Sequence, residues 1–251
     1  KVEEFEKAIC DYTGAKYGVS VSNGTAALHI VCLTLGLKPG DEVIVPAITF
    51  AASSNCVLYT GAKPIFCDIE EDTLNIDCNK IEELITENTK AIISVDMGGM
   101  MCDYHKLKNI CKKHNLFLIE DAAHSIGAQE NKCPTKPKVG SYADFTTFSF
   151  HPVKNITTGE GGCIFTNNSK YYENIKLLRS HGINRSKVLI NKFGPWYYDI
   201  KKTGFNYRLS EISCALGISQ LKKLDKFINR RRDIANQYIK LLSDLTYLKL
   251  P

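Results

Sequence analysis

The chain has 251 residues, of which 44% are hydrophobic and 24% are charged, so it has the composition of a globular protein that can bury a substantial core. Its formal net charge of +5 suits an anionic, phosphate-bearing ligand but is too small and diffuse to indicate nucleic-acid binding. The sequence contains no apolar stretch long enough to cross a membrane, so we expect no membrane contact.

Short apolar runs alternate with helical patterns along the chain. The predicted strands cover residues 18–21, 42–46, 63–68, 91–96, 116–120, 145–150 and 162–166. The predicted helices cover residues 25–35, 51–59, 80–85 and 104–114, followed by one from about Ser210 and a long one over 225–242. Strand–helix alternation favours an α/β fold in which helices sandwich a mainly parallel, seven-stranded sheet.

The first candidate site is the junction between the strand at 18–21 and the helix at 25–35. Asn23, Gly24 and Thr25 lie at this junction. Unpaired N–H groups and the helix dipole make a helix start attractive to an anion, and Thr25 adds a hydroxyl. Many strand–turn–helix junctions without ligands look alike. His29, inside the apolar helix, is interpreted as a core histidine rather than a ligand.

The second candidate site lies at the carboxyl end of the strand at 116–120. Ligands of open α/β sheets bind beyond the carboxyl ends of the strands, and Asp121 lies there. A carboxylate in this place can keep the ring nitrogen of a pyridoxal cofactor protonated. Asp121 could instead cap a helix. A metal site with Asp121 and His124 is a weaker alternative, because no further ligands follow at a fitting spacing.

The third candidate site is Lys154, between the apolar run at 145–150 and the glycine-rich turn at 159–162. Desolvation against apolar walls lowers the pKa of a lysine and makes a Schiff base with an aldehyde accessible. Lys154 could equally be a surface lysine at a strand end. The glycine-rich turn has neither the Rossmann nor the P-loop spacing, which argues against a nucleotide-binding module.

The ten cysteines show no Cys-x-x-Cys pair and no metal-finger spacing, so we expect no metal. Several of them, such as Cys32, Cys56 and Cys163, lie in apolar runs, where cysteine behaves as a small buried hydrophobic residue. This pattern favours reduced thiols in a cytoplasmic protein.

Taken together, these segments resemble the DegT/DnrJ/EryC1/StrS sugar aminotransferases, which are fold-type I pyridoxal-phosphate enzymes. The resemblance covers nearly the whole chain. Its matching segments are Ser-Asn-Gly-Thr-Ala-Ala-Leu at 22–28, Gly-Asp-Glu-Val-Ile-Val-Pro at 40–46, Thr-Phe at 49–50, Glu-Asp-Ala-Ala-His at 120–124, Phe-Ser-Phe-His-Pro-Val-Lys at 148–154 and Gly-Phe-Asn-Tyr-Arg-Leu-Ser-Glu at 204–211.

The resemblance implies two catalytic residues and a cofactor, pyridoxal 5'-phosphate. Lys154 corresponds to the Schiff-base lysine, and Asp121 to the partner of the pyridine nitrogen. The family also contains sugar dehydratases, in which histidine replaces that lysine, so Lys154 argues against that branch.

Further cofactor contacts follow from the same resemblance. Thr25, Ala26 and Ser149 correspond to phosphate contacts, and Phe50 to the residue that stacks on the ring. His124 corresponds to the position near the phenolic oxygen, where many relatives have glutamine, so its contact is an open question.

The resemblance also implies a partner and a domain organisation. Asn206 corresponds to an asparagine that reaches the phosphate of the neighbouring subunit, which implies a homodimer with a shared active site. We expect residues 1–210 to be the PLP-binding large domain, as in fold-type I transferases. Residues 211–251 are expected to be a helical connection toward a small C-terminal domain that is mostly absent from this chain, as in part of a longer protein or a truncated product.

The expected function is a PLP-dependent aminotransferase that moves an amino group, with glutamate as the expected amino-acid donor, to a nucleotide-linked 4-keto-6-deoxy sugar. The segment around Lys154 most resembles the branch that acts on UDP-linked 4-keto-6-deoxy-N-acetylhexosamines, as in pseudaminic acid synthesis. The alternative is a PLP-binding structural or regulatory dimer without transaminase turnover.

Overall fold

The computed structural model describes residues 1–130, 137–185 and 187–250. The strands are β1 (Tyr17–Val21), β2 (Glu42–Pro46), β3 (Lys63–Cys67), β4 (Thr89–Val95), β5 (Phe117–Asp121), β6 (Phe145–Ser149), β7 (Gly162–Thr166), β8 (Ile183–Asn184) and β9 (Asp199–Ile200). The α-helices are α1 (Val2–Thr13), α2 (Gly24–Thr34), α3 (Ala52–Leu58), α4 (Tyr104–His114), α5 (Ser169–Arg179), α6 (Lys187–Phe193), α7 (Glu211–Leu221) and α8 (Leu224–Leu242).

Strands β1 to β7 form one sheet in the order β1-β7-β6-β5-β4-β2-β3, and β8 pairs with β9 in a separate hairpin. The five strands from β6 to β3 in this order are parallel, whereas β7 runs antiparallel to both β1 and β6. Because most neighbouring pairs are parallel, the carboxyl ends of β4, β5 and β6 meet at one edge. The predicted α/β class with a mainly parallel, seven-stranded sheet is confirmed.

Alternating side chains along the strands fill hydrophobic clusters on the two faces of the sheet. On one face, Val45 and Ile93 pack in the cluster that includes helices α2, α3 and α5. On the other face, Ile92 packs in the cluster of α4, and Phe148 packs in the cluster of α1 and α7. Helices therefore cover both faces, as the period-two alternation of a buried strand requires.

One predicted helix, at 80–85, is wrong. Only a single turn of 3-10 helix forms there, over Glu82–Leu84, and the backbone of Ile85 is already extended. A six-residue segment gains few helical hydrogen bonds for the cost of nucleation. Helix α1, which the sequence did not predict, begins the chain with Phe5 and Ile9 on its buried face.

Helices α7 and α8 begin against the body of the protein. A Cβ atom on Gly217 would overlap the ring of Phe5, so the absence of a side chain lets α7 pack closely on α1. Cys214 and Leu224 are fully buried in the same cluster. From residue 229 to 241, α8 is exposed. The interpretation of residues 211–251 as a connection to a further domain stays a prediction.

Within the described part of the chain, none of the helices combines the length and the apolar character needed to cross a membrane.

Candidate active site

A cavity of about 810 Å³ opens beside the carboxyl ends of β4, β5 and β6. The start of α2, the segment from Thr49 to Ala52, and the loop that follows β6 complete its walls. Seven of the eight residues that the sequence singles out line it, namely Thr25, Ala26, Phe50, Asp121, His124, Ser149 and Lys154. The topology thus brings together side chains that are spread over more than half of the chain.

One end of the cavity is formed by the start of α2. Asn23 caps the helix, and its side-chain oxygen accepts a hydrogen bond of 2.8 Å from the Ala26 N–H. Ser149 lies close by, since a Cβ atom on Gly24 would be only 3.0 Å from the Ser149 Cβ. First-turn N–H groups, such as that of Thr25, have no carbonyl partner in a preceding turn, and the helix dipole attracts an anion to them. The Ala26 N–H, by contrast, is already bonded to Asn23.

Asp121 is the last residue of β5 and is only 6% exposed. Its Oδ2 accepts a hydrogen bond of 2.8 Å from the Ser53 hydroxyl, and its Oδ1 accepts one of 3.2 Å from the Ala123 N–H. Burial raises the pKa of the Asp121 carboxyl, while these two hydrogen bonds and the positive charges at His124 and Lys154 oppose the rise. The carboxylate is therefore desolvated but supported on both oxygens.

Lys154 is half-buried in the loop after β6, where its backbone N–H donates a hydrogen bond of 2.9 Å to the His151 carbonyl. Burial lowers the pKa of the Lys154 ammonium, and the nearby Asp121 carboxylate opposes this effect. A lowered pKa increases the fraction of neutral amine, which is the nucleophilic form. The electrostatic environment of Lys154 thus differs from that of an exposed lysine.

His124 and Phe50 border the cavity in different ways. The Nδ1 atom of His124 is buried and has no hydrogen-bond partner among the described residues. Burial lowers the pKa of His124 and the positive charge of Lys154 lowers it further, while the Asp121 carboxylate opposes both effects. Phe50 is 75% exposed at the rim. An unpaired ring nitrogen and a free aromatic face are suited to a flat ligand with polar edges.

The sequence analysis missed Ser53 and gave Thr49 only as part of the Thr-Phe segment. Ser53 supports Asp121, and Thr49 lies 2.8 Å from the Ser53 hydroxyl. The only signal was a pair of hydroxyl side chains four residues apart, one before α3 and one in its first turn. His29 is 6% exposed, as expected of a core histidine, and its Nδ1 lies 3.2 Å from the Tyr207 hydroxyl. Both residues also border the cavity, so the interpretation that His29 is not a ligand stays a prediction.

Asn206 is the one predicted site residue that does not line this cavity. It is exposed and forms an isolated antiparallel bridge with Ser180. Within a single chain, the structure therefore does not bring Asn206 together with Thr25 and Ser149.

A metal site is not supported by the described residues, since no three histidine, cysteine, aspartate or glutamate side chains among them come together in a group that could hold an ion. Asp121 and His124 thus gain no third ligand in that part of the chain.

The chain is similar in sequence to known sugar aminotransferases. A UDP-4-amino-4,6-dideoxy-N-acetyl-beta-L-altrosamine transaminase from Campylobacter jejuni is 44% identical over 243 residues, which are 96% of this chain and 61% of that protein. The chain therefore spans less than two thirds of the length of this curated relative.

Two solved structures share the fold at a level that exceeds chance similarity. PseC from Helicobacter pylori, an aminotransferase of pseudaminic acid biosynthesis, superposes with a TM-score of 0.88 and 35% identity, over 98% of this chain and 63% of that one. NtdA from Bacillus subtilis, with its cofactor PMP bound, superposes with a TM-score of 0.86 and 36% identity, over 98% of this chain and 53% of that one.

The match to the family as a whole is complete along the chain. The model of the DegT/DnrJ/EryC1/StrS aminotransferase family covers residues 1–251. The geometry of the cavity, the relatives and this full-length match agree, and the chain belongs to the DegT/DnrJ/EryC1/StrS aminotransferase family.

Proposed function

We propose that this chain forms the cofactor-binding part of a PLP-dependent aminotransferase that acts on a nucleotide-linked keto sugar. The observation that carries the proposal is the presence, in one cavity, of a half-buried lysine with a lowered pKa and a buried, doubly supported aspartate. Family membership and the PMP bound to NtdA support the same cofactor.

The residues of the cavity fit this cofactor on structural grounds. The start of α2, with Thr25 and the adjacent Ser149, would hold the phosphate, because unpaired N–H groups and hydroxyls are donors that suit an anion. The unpaired Nδ1 of His124 supplies a buried polar atom that needs a partner. Phe50 at the rim would cover one face of the ring. These assignments, and a phosphate contact at Ala26, follow the family pattern.

When bound, pyridoxal phosphate supplies a conjugated ring that withdraws electrons from the bond to be broken. The Nζ atom of Lys154 would hold the cofactor covalently and, once displaced by an amino donor, would move a proton as general base and general acid. The Asp121 carboxylate would hold a proton on the ring nitrogen. The role of Lys154 uses the lowering of its pKa by burial. At Asp121 burial raises the pKa, and the hydrogen bonds from Ser53 and Ala123 oppose this rise and favour the ionised form.

The finer assignments extend this proposal. The Campylobacter relative and PseC favour a UDP-linked 4-keto-6-deoxy-N-acetylhexosamine as the acceptor, and glutamate is the proposed donor. We propose a cytoplasmic location, where thiols such as the eight buried cysteines among the described residues stay reduced. We further propose a homodimer, in which Asn206 of one subunit completes the phosphate site of the other.

The test is to load the protein with PLP, add glutamate, and follow conversion of the cofactor to its amine form by absorbance. A panel of UDP- and GDP-linked keto sugars is then added, and the products are identified by mass. Asp121→Asn, which is nearly isosteric but uncharged, should bind PLP and lose most of the turnover. A wild-type protein that binds PLP but is not converted by any amino donor would instead be a structural or regulatory PLP-binding dimer.

A further inference from the structure

In the wall of the cavity, Thr49, the buried Ser53 and Asp121 form a continuous hydrogen-bonded row. Thr49 Oγ1 lies 2.8 Å from Ser53 Oγ, and Ser53 Oγ lies 2.8 Å from Asp121 Oδ2. Ser53 is fully buried in the first turn of α3, and Thr49 precedes Phe50 in the segment between β2 and α3. The row thus joins the segment that carries Phe50 to the carboxylate at the end of β5.

The direction of the hydrogen bonds follows from the number of protons available. An ionised carboxylate only accepts, so the single hydroxyl proton of Ser53 is donated to Asp121. The Ser53 oxygen is then left as an acceptor, and Thr49 must donate to it. Because each bond polarises the next, the Thr49 hydroxyl strengthens the donor that Ser53 offers to the carboxylate.

We propose that Ser53 is a positioning residue that keeps Asp121 ionised opposite the cofactor ring, and that Thr49 orients the Ser53 hydroxyl for this purpose. The inference rests on the proposed function, since it takes the ring nitrogen of the cofactor as the partner of Asp121. Without the Ser53 hydroxyl, the ionised carboxylate loses a hydrogen-bond donor, so the proton between Asp121 and the ring nitrogen moves towards Asp121. Between these two groups only the position of the proton changes.

The surroundings of Asp121 make this donor important. Two other groups that carry or can acquire negative charge interact with it, Asp96 at the end of β4 and Cys56 on α3, and the Asp121 carboxylate raises the pKa of both. His124 and Lys154 favour the ionised form of Asp121. Among the groups that lower the pKa of Asp121 against the effect of burial, the Ser53 hydrogen bond is the largest, followed by the Ala123 N–H.

Three variants test the proposal in the full protein loaded with PLP that carries a ¹⁵N label at the ring nitrogen. Ser53→Ala removes the direct donor, and Thr49→Val removes the second donor at nearly constant shape. Ser54→Ala is the matched control, because the Ser54 hydroxyl bonds to the Ala51 carbonyl, 3.1 Å away, and not to Asp121. The ¹⁵N chemical shift, which reports the proton on the ring nitrogen, is recorded with kcat, the affinity for PLP and the melting temperature.

Ser53→Ala should move the ¹⁵N shift towards that of an unprotonated ring and lower kcat by about 10- to 100-fold, as expected for one hydrogen bond to a charged group. Thr49→Val should change both in the same direction by a smaller factor, and its result stands even if Ser53→Ala does not fold. Ser54→Ala should match the wild type.

Two results would overturn the inference in distinguishable ways. A folded, loaded Ser53→Ala or Thr49→Val protein with the wild-type ¹⁵N shift would show that the row only packs α3 against the sheet, even if wild-type turnover upholds the proposed function. A wild-type protein that takes up no PLP would overturn the inference together with the proposed function.

Discussion

Lys154 is set apart from exposed lysines of this chain by its burial beside Asp121. Arginine keeps the positive charge but stays protonated and cannot act as a nucleophile. We therefore expect Lys154→Arg to fold normally and to lower kcat by roughly 1,000-fold or more, which corresponds to about 4 kcal/mol. Borohydride reduction followed by peptide mapping should place the pyridoxyl group on residue 154 in the wild type and nowhere in the variant.

Lys113→Arg supplies the control, because Lys113 lies on α4 in an exposed ion pair of 2.7 Å with Glu82 and does not line the cavity. It should retain wild-type activity and labelling. An adduct on a lysine other than Lys154 in the wild type would remove Lys154 from its proposed role.

Glu120, the neighbour of Asp121 on β5, is fully buried and faces the other side of the sheet. Its Oε2 accepts hydrogen bonds from Gly140 and Thr146, whereas its Oε1 has no partner among the described residues. Burial first, and the Asp96 carboxylate second, raise the pKa of Glu120 to about 8. The residue is therefore held as a neutral acid in the folded protein near neutral pH.

This raised pKa predicts a pH-dependent stability. Below about pH 4.5 both the folded and the unfolded chain hold the proton, so there is no penalty. As the pH rises towards about 8, the unfolded chain releases its proton first and the free energy of unfolding falls. Glu120→Gln removes this proton linkage. Its free energy of unfolding should decrease by about 3 to 4 kcal/mol less than that of the wild type between pH 5 and pH 8.

Urea denaturation at the two pH values measures this difference. Glu83→Gln, at an exposed position, is the control and should follow the wild-type pH dependence. Parallel wild-type and Glu120→Gln curves would show that Glu120 is ionised in the folded protein.

At the scale of elements, the sequence pattern was most informative for the strands of the sheet. Strands buried on both faces are nearly continuous apolar runs, so β1 to β7 were predicted to within two residues at each end. Helical periodicity was less reliable. Ile212 and Leu216 on α7 have the spacing of an apolar helix face, yet they are 84% and 40% exposed. The face that packs is set by Gly217, whose role depends on the approach of Phe5.

The start of α2 provides a prediction about an element. Asn23 caps this helix, and aspartate caps as well as asparagine and interacts favourably with the helix dipole. Asn23→Asp should therefore leave the stability of the protein unchanged. The added negative charge lines the cavity beside the proposed phosphate site, so it should raise the Kd for PLP by roughly 10-fold or more, which corresponds to about 1.4 kcal/mol.

Asn168→Asp is the matched control for this change. Asn168 caps α5 by accepting hydrogen bonds from the N–H groups of Lys170 and Tyr171, and it does not line the cavity. It should change neither the melting temperature nor the Kd for PLP. Equal PLP affinities for Asn23→Asp and the wild type would show that the phosphate binds away from the start of α2.

At the scale of the whole molecule, the sequence predicted most of the residues that line the cavity, but not the hydrogen bonds that hold their side chains in place. The family pattern named the side chains that face the cavity. Ser53 escaped it, because its role depends on the packing of α3 against β5 and is visible only in three dimensions. The proposed role of Asn206 cannot be seen in a single chain, because this exposed residue lies outside the cavity and would reach a site only in a second chain.

The segment that precedes Asn206, from α6 to β9, exposes large apolar side chains. Val188 lies on α6, Trp196 lies between α6 and β9, and Ile200 lies on β9; they are 74%, 73% and 62% exposed. Large apolar side chains exposed within one short segment are typical of a surface that another protein covers. This observation, together with the position of Asn206, supports a dimer in which each subunit contributes to the site of the other.

Mixing two inactive variants tests this arrangement. Lys154→Ala lacks the proposed nucleophile, and Asn206→Asp would place a negative charge against the phosphate of the partner's site. If the site is shared, each mixed dimer contains one site with both wild-type groups, so random mixing should restore about a quarter of wild-type activity at limiting PLP. If Asn206 acts within its own subunit, every site in a mixed dimer carries one defect. Mixed dimers that are shown to form and yet stay inactive would therefore exclude the shared site.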